Sequence, residues 1–254
     1  MEFRKSFDLI LDRFGLALLC ILVDVLSFFA FGFFSFPVSA KIADLLVGFT
    51  AVFSAGLNTM DRGSSSVFGI LFSSDTVLFW KSFLTYALLF VLIAYVVYVV
   101  FQSVAWFVSF RIAGKKANFW HFFLWFGLFN LFWFSLFIVY NIVDFFIDLA
   151  AVLGGNFGFV SVVNSAFLML IFYFAVISYV KLNFLKSFSL GFKKYRQILP
   201  PFLVVCLFFL VLNLILPFSF SVNYYFGAGI GIILFLPSLV FARVFMINSI
   251  ERVK

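Results

Sequence analysis

Six apolar runs, each about as long as a bilayer is thick, dominate the chain. A helix needs about 20 apolar residues to cross the ~30 Å hydrocarbon core of a membrane. Backbone groups in lipid must pair within their own segment, so runs of this length form helices. The sequence therefore predicts an all-α fold: a polytopic membrane helix bundle in a single integral membrane domain, 1–254. The predicted spans are 15–36, 83–106, 119–143, 158–180, 199–217 and 225–248.

The composition excludes a water-soluble domain. The chain is 66% hydrophobic and only 11% charged, whereas a soluble domain carries about 25% charged residues. The formal net charge is +7, but the basic residues stand beside apolar runs. The sequence therefore favours the lipid bilayer and its anionic headgroups as partners, and not nucleic acid.

The basic residues occupy every second gap between the apolar runs. With the N-terminus inside, fourteen of the 17 basic residues lie in inner segments. Only Lys41, Arg62 and Lys81 lie in outer ones. Because cytoplasmic loops carry an excess of Lys and Arg, the sequence predicts a protein of the cytoplasmic membrane with both termini in the cytoplasm.

Three amphipathic segments predict helices that lie at the membrane surface. Residues 2–14 and 182–197 precede the first and fifth spans on the inner side, and each places aromatic residues on one face. Such helices lie in the headgroup plane with the apolar face down. Residues 42–59 predict an outer interfacial helix, with a re-entrant segment as the alternative. A seventh crossing there would invert every later loop and remove the charge asymmetry.

The second inner segment carries a recognisable pattern. Residues 184–201 read FLKSFSLGFKKYRQILPP. This stretch resembles a pattern in uncharacterised multi-pass prokaryotic membrane proteins, mainly archaeal families of unknown function. The membrane domains attached to some glycerophosphodiester phosphodiesterases are similar. The resemblance implies a helical membrane module and carries over no activity, because the chain has no phosphodiesterase catalytic domain.

Asp24 is the one carboxylate deep in a predicted span. Ionisable groups inside a membrane are costly and mark candidate sites. Asp24 could couple transport to protons or cations, or it could be a neutral acid bonded to another helix. Asn130 and Arg243 are the candidate partners. A neutral, structural Asp24 would tolerate replacement by Asn.

A polar stripe follows the end of the third span. Asn141, Asp144 and Asp148 share one face of a helix, and Asn130 lies three turns earlier on nearly the same side. The two carboxylates could bind a cation, could form a solvated helix end, or could pair with a basic residue. The basic candidates are Lys41, Arg62 and Lys81.

Two further groups carry predicted binding or packing roles. A basic block is predicted to contact anionic lipid headgroups. Its members are Lys181, Lys186, Lys193, Lys194 and Arg196. Gly227 and Gly231 form a GxxxG pair, which permits close helix packing. A neighbour within the chain is favoured over a dimer partner.

The sequence offers little for catalysis. Its only histidine, His121, stands beside Trp120 at a span end and is interpreted as an interfacial residue. No catalytic residue, metal site or cofactor is predicted. The leading hypothesis is a non-enzymatic accessory, assembly or lipid-organising protein with a membrane-protein partner. The alternatives are a small permease that uses Asp24 and Asn130, and, third, an intramembrane enzyme.

Overall fold

The computed structural model describes residues 2–60, 74–152, 158–223, 227 and 229–253, and nearly all of these residues are helical. Eight α-helices are described, with a π-helical turn, Gly231–Phe235, directly before the last. In chain order they are α1 (Glu2–Asp12), α2 (Phe14–Met60), α3 (Ser74–Ile112), α4 (Phe119–Val152), α5 (Gly158–Lys181), α6 (Phe184–Lys193), α7 (Tyr195–Val222) and α8 (Leu236–Arg252).

Six of the described helical stretches are long and apolar enough to cross a membrane, which confirms the predicted polytopic helix bundle. They are Phe14–Val52, Thr76–Ile112, Phe119–Asp148, Gly158–Lys181, Tyr195–Ser221 and Gly231–Arg252. Each contains one predicted span or most of it. The predicted start of the sixth span, residues 225, 226 and 228, lies outside the described residues, as do Arg62 and Lys254.

The helix that contains the first predicted span, 15–36, continues well beyond it. Residues 42–59 do not form a separate helix, because α2 continues without a break for 47 residues. Pro37 is accommodated inside it, as prolines are in membrane helices. The polar groups that suggested an end are satisfied locally: the Ser39 hydroxyl donates to the Phe36 carbonyl at 2.9 Å. Lys41 and Asp44 pair across one turn at 3.9 Å.

The chain divides into two compact units. The larger comprises 1–25 and 99–254, and the smaller comprises 26–98. In the smaller unit, α2 and α3 contact each other through aromatic rings. Phe31 meets Phe90 with centroids 5.8 Å apart, and Phe49 stacks on Phe79 at 4.4 Å.

The larger unit is packed around the last helix. More than half of the Gly231–Arg252 stretch is buried, against a third or less of every other candidate span. Val244, Ile247 and Ile250 of α8 are fully buried. Fully buried Phe122 and Phe126 of α4 belong to the same hydrophobic core. In lipid such packing relies on close van der Waals contact rather than on exclusion of water.

Helix α6 is shorter than the helix predicted for residues 182–197. It begins at Phe184 because Leu182 has a positive φ of 49°. Asn183 then caps the first turn by accepting from the Lys186 amide at 2.9 Å. A break at Lys194 separates it from α7. Its apolar face packs on the protein: Phe188 stacks on Phe174 at 4.8 Å.

Helix α1 ends two residues before its predicted limit and lies against α8. Its Phe3 ring is 4.7 Å from that of Phe241. The buried Ser6 hydroxyl accepts a hydrogen bond from the Asn248 amide at 3.0 Å. The helix keeps an amphipathic character, since Phe7 and Leu11 remain about half exposed.

Charged helix ends of the larger unit meet at one end of it. Glu251, near the end of α8, pairs with Lys181 at 2.9 Å and with Lys115 at 3.5 Å. Arg252 pairs with Glu2 at 3.5 Å. The four predicted inner segments therefore meet at the same end of this unit. They are represented here by Glu2, Lys115, Lys181 and Glu251.

Candidate functional site

The strongest candidate site is a buried ion pair between α2 and α8. The Arg243 guanidinium donates to both carboxylate oxygens of Asp24, with Nη1–Oδ2 at 2.8 Å and Nη2–Oδ1 at 2.7 Å. Asp24 is fully buried and Arg243 is 6% exposed. This two-bond geometry is the strongest form of an arginine–carboxylate contact. Of the two partners considered for Asp24, the structure brings Arg243 to it.

Gln102 on α3 closes the ion pair into a three-residue network. Its side-chain oxygen accepts from Nη2 of Arg243 at 2.8 Å, and its amide donates to Oδ1 of Asp24 at 3.1 Å. A side-chain amide suits this place because it offers both a donor and acceptors. The network therefore joins helices α2, α3 and α8.

Cys20 and Ser109 extend the network toward one end of the helices. The Cys20 sulfur accepts from Nη1 of Arg243 at 3.4 Å and lies 3.6 Å from the Ser109 hydroxyl. Cys20 and Asp24 are four residues apart, so they share one face of α2. We refer to these residues together as the α2–α8 network; it comprises Cys20, Asp24, Gln102, Ser109 and Arg243.

The network lies deep along its helices. Asp24 is ten residues after the first residue of α2, and Arg243 is nine before the last residue of α8. At 1.5 Å per residue, each is about 15 Å from its helix end, which is half of the ~30 Å hydrocarbon core. A lone charge at that depth would be costly, so mutual pairing is what makes both charged groups tolerable there.

Asn130 forms a separate contact in the same unit. Its side-chain oxygen accepts from the Tyr179 hydroxyl at 2.6 Å, and its amide donates to the Phe126 carbonyl at 3.0 Å. One turn later in α4, the Trp133 ring N–H donates to the hydroxyl of Ser178, which precedes Tyr179 in α5, at 2.9 Å. Asn130 thus joins α4 to α5, and its hydrogen bonds are not directed to Asp24.

The polar stripe at the end of α4 does not converge on one point. Asp144 accepts from the Asn164 amide at 3.0 Å. Asn141 bonds to its own helix, at the Phe137 carbonyl, 2.6 Å away. Asp148 is exposed. Within the described residues, no three His, Cys, Asp or Glu side chains lie close enough together to hold a metal ion.

The predicted lipid-contact block divides into two parts. Lys181 is engaged with Glu251 and only 23% of its side chain is exposed. The other four are exposed on α6, at the break and at the start of α7. They are Lys186, Lys193, Lys194 and Arg196. We call these four the basic patch.

The two packing glycines lie close to the preceding helix. A Cβ on Gly227 would stand 2.8 Å from the Phe220 Cα, and one on Gly231 would stand 3.7 Å from Leu216 Cδ2. Both neighbours belong to α7 of the same chain. Gly227 therefore permits an approach that no larger residue allows.

Several site residues were missed or undervalued in the sequence. In the sequence, Gln102 shares a helical face with Tyr95 and Tyr98, which favours a core-packing role for all three. Tyr179 gave no signal at all, since its partner Asn130 is 49 residues away. Glu251 carried one: it is the only acid after Asp148 in a segment with five lysines and arginines before Arg243.

The fold and the site define an all-α, multi-pass membrane protein with a self-paired charged network in its interior. The chain matches no family model, and no curated protein or solved structure is detectably similar to it.

Proposed function

We propose that this chain is a non-enzymatic membrane protein with an accessory, assembly or lipid-organising role. The observation that carries the proposal is the pairing of its interior polar groups with one another. Within the described residues, every buried side-chain nitrogen or oxygen of a residue that is not itself exposed has a hydrogen-bond partner. Paired groups of this kind join helices, whereas a transport site must exchange its partners for a substrate or ion.

The α2–α8 network supports the structural role most directly. Asp24 is fully enclosed, and its two oxygens are occupied by Arg243 and Gln102. A carboxylate that couples transport has to meet water or an ion from each side in turn. Asn130, the second residue of the permease hypothesis, is bonded to Tyr179. The two residues on which transport would depend are thus held in separate contacts.

The proposed orientation places both termini on the cytoplasmic side of the cytoplasmic membrane. The distribution of basic residues supports it. The ion pairs of Glu251 with Lys115 and Lys181 support it further, because they gather three of the basic segments at one end of the larger unit. Segments that meet in this way share a side of the membrane.

The basic patch is the proposed contact with anionic headgroups. Its four side chains are exposed, and α6 is anchored beneath them by Phe184 and Phe188. Each basic residue near an anionic surface contributes about 1 kcal/mol. The resemblance of residues 184–201 to uncharacterised multi-pass prokaryotic proteins agrees with a membrane module of this kind.

Flux measurements test the proposal. Wild-type protein is reconstituted into liposomes, and proton and monovalent-cation fluxes are recorded with internal dyes. We expect these fluxes to match those of protein-free liposomes. Wild-type flux above that background would overturn the accessory role and favour the permease. A parallel purification from native membranes should recover a membrane-protein partner in a fixed ratio.

A further inference from the structure

A groove of about 650 Å³ lies between α1, α7 and α8 at the charged end of the larger unit. Its floor is the last part of α8, where Phe245 and Ser249 are buried, with the buried Val253 directly after the helix. Pockets of 300–1,000 Å³ are the usual size for binding small ligands. The groove does not include the α2–α8 network or the basic patch.

One side of the groove is apolar. Val204 on α7 is 50% exposed there, and Phe3 on α1 is 58% exposed. Pro200 and Pro201 form the adjoining wall. This wall belongs to the apolar stretch Tyr195–Ser221, which is long and apolar enough to cross a membrane.

The rim of the groove carries one positive and one negative group. The Arg252 guanidinium and the Glu2 carboxylate are 3.5 Å apart, at the limit of a hydrogen bond. The side chain of Arg252 is 69% exposed and that of Glu2 is 21% exposed. A guanidinium offers five donors and a carboxylate about four acceptor positions. The single long contact between Arg252 and Glu2 uses one donor and one acceptor, so most of their hydrogen-bonding groups remain available.

The proline pair adds acceptors at the same rim. Pro200 and Pro201 have no amide hydrogen, so they cannot donate the helical bonds to the carbonyl oxygens of Arg196 and Gln197. Gln197 lines the groove, and its side chain is exposed. The rim thus combines a cationic donor on one side with an anionic acceptor and carbonyl oxygens on the other.

We propose that the groove binds one zwitterionic phospholipid whose headgroup ends in a primary ammonium. The phosphate pairs with Arg252, since guanidinium and phosphate match in geometry and charge. The ammonium donates to Glu2 and to the carbonyl of Gln197. The first part of an acyl chain lies over Val204. This site requires only that the chain is in a membrane, so it stands or falls separately from the accessory role.

Native mass spectrometry of the full chain in detergent tests headgroup recognition. Phosphatidylethanolamine and phosphatidylcholine with identical acyl chains are titrated. The choline headgroup carries no N–H donor, so we expect it to bind roughly tenfold more weakly. Arg252→Gln and Glu2→Gln should each weaken phosphatidylethanolamine binding by a similar factor.

Matched controls lie on the same helix as Glu2. Arg4→Gln and Asp8→Asn make the same charge changes at exposed positions of α1, and both should bind phosphatidylethanolamine as the wild type does. Equal binding of the two lipids would overturn the ammonium contact. An equal loss in Arg4→Gln and Arg252→Gln would reduce the effect to net charge and overturn the site.

A steric variant tests the location without changing charge. Val204→Trp places a large ring in the groove and should abolish binding. Leu203→Trp is the control, because Leu203 is equally exposed, at 48%, but does not line the groove. Binding that survives Val204→Trp, or that is lost equally in both variants, would place the lipid elsewhere.

Discussion

At the residue scale, Arg243 is a charged group that lies buried deep along a membrane-spanning helix and therefore needs polar partners. It is the only charged residue of α8 before the terminal pair Glu251 and Arg252. Its guanidinium reaches Asp24, Gln102 and Cys20. The pair also changes the expectation for Asp24. A neutral acid would tolerate Asn, but a carboxylate bound at two points to a buried guanidinium will not.

We predict that Asp24→Asn strongly destabilises the protein. Removing one partner of a buried pair leaves an uncompensated charge and costs about 3–5 kcal/mol. The double variant Asp24→Leu/Arg243→Met removes both charges and should be more stable than either single variant. Thermal midpoints in detergent measure this.

Asp8→Asn is the control for that series, because Asp8 is exposed on α1. Its effect should stay within about 0.5 kcal/mol. If Asp24→Asn unfolds at the same temperature as the wild type, the α2–α8 network does not hold the helices together.

At the element scale, α6 is fixed by one close approach. A Cβ on Gly191 would stand 2.5 Å from the Phe174 ring, which is buried between Phe188 and Phe192. The Gly191 carbonyl also accepts from the Tyr173 hydroxyl at 3.0 Å. These contacts attach the short helix, and with it part of the basic patch, to α5.

We predict that Gly191→Ala lowers stability by about 1–3 kcal/mol, the usual cost of overpacking. Gly32→Ala is the matched control in α2, because nothing lies within 4 Å of its added Cβ. It should be neutral or gain up to about 1 kcal/mol from helix propensity. Thermal midpoints of both variants decide the comparison.

A second-site change makes the cause specific. Phe174→Leu replaces the ring that the new methyl group meets with a smaller side chain. The double variant Gly191→Ala/Phe174→Leu should therefore lose less stability than the two single variants lose together. If Gly191→Ala is as stable as Gly32→Ala, the close packing of α6 on α5 is not a constraint.

At the scale of the whole molecule, the distribution of basic residues and the gathered charged ends support the proposed orientation. We predict that an impermeant thiol reagent applied to intact cells labels a cysteine at position 223 and not one at 116. Asn223 ends α7, and Lys116 follows α3 at the basic end. The background carries Cys20→Ser and Cys206→Ala.

Permeabilised cells provide the control, since both positions should then react. Labelling at 116 in intact cells would reverse the proposed topology. It would also place most of the basic residues outside, against the rule on which the orientation is based.

The sequence by itself determined the helical class and the six spans. Both follow from local properties: a stretch of about 20 apolar residues crosses the hydrocarbon core whatever surrounds it. It also marked Asp24, Asn130 and Arg243 as polar groups in apolar surroundings. It misplaced the end of the first helix, because local polarity at 37–44 is satisfied within α2 itself.

Only the tertiary structure decided which of these groups meet. Asp24 and Arg243 are 219 positions apart, and Asn130 and Tyr179 are 49 apart. Such pairings depend on the rotation and depth of each helix against its neighbours. Those are set by close packing at sites such as Gly191, which no local pattern in the chain encodes.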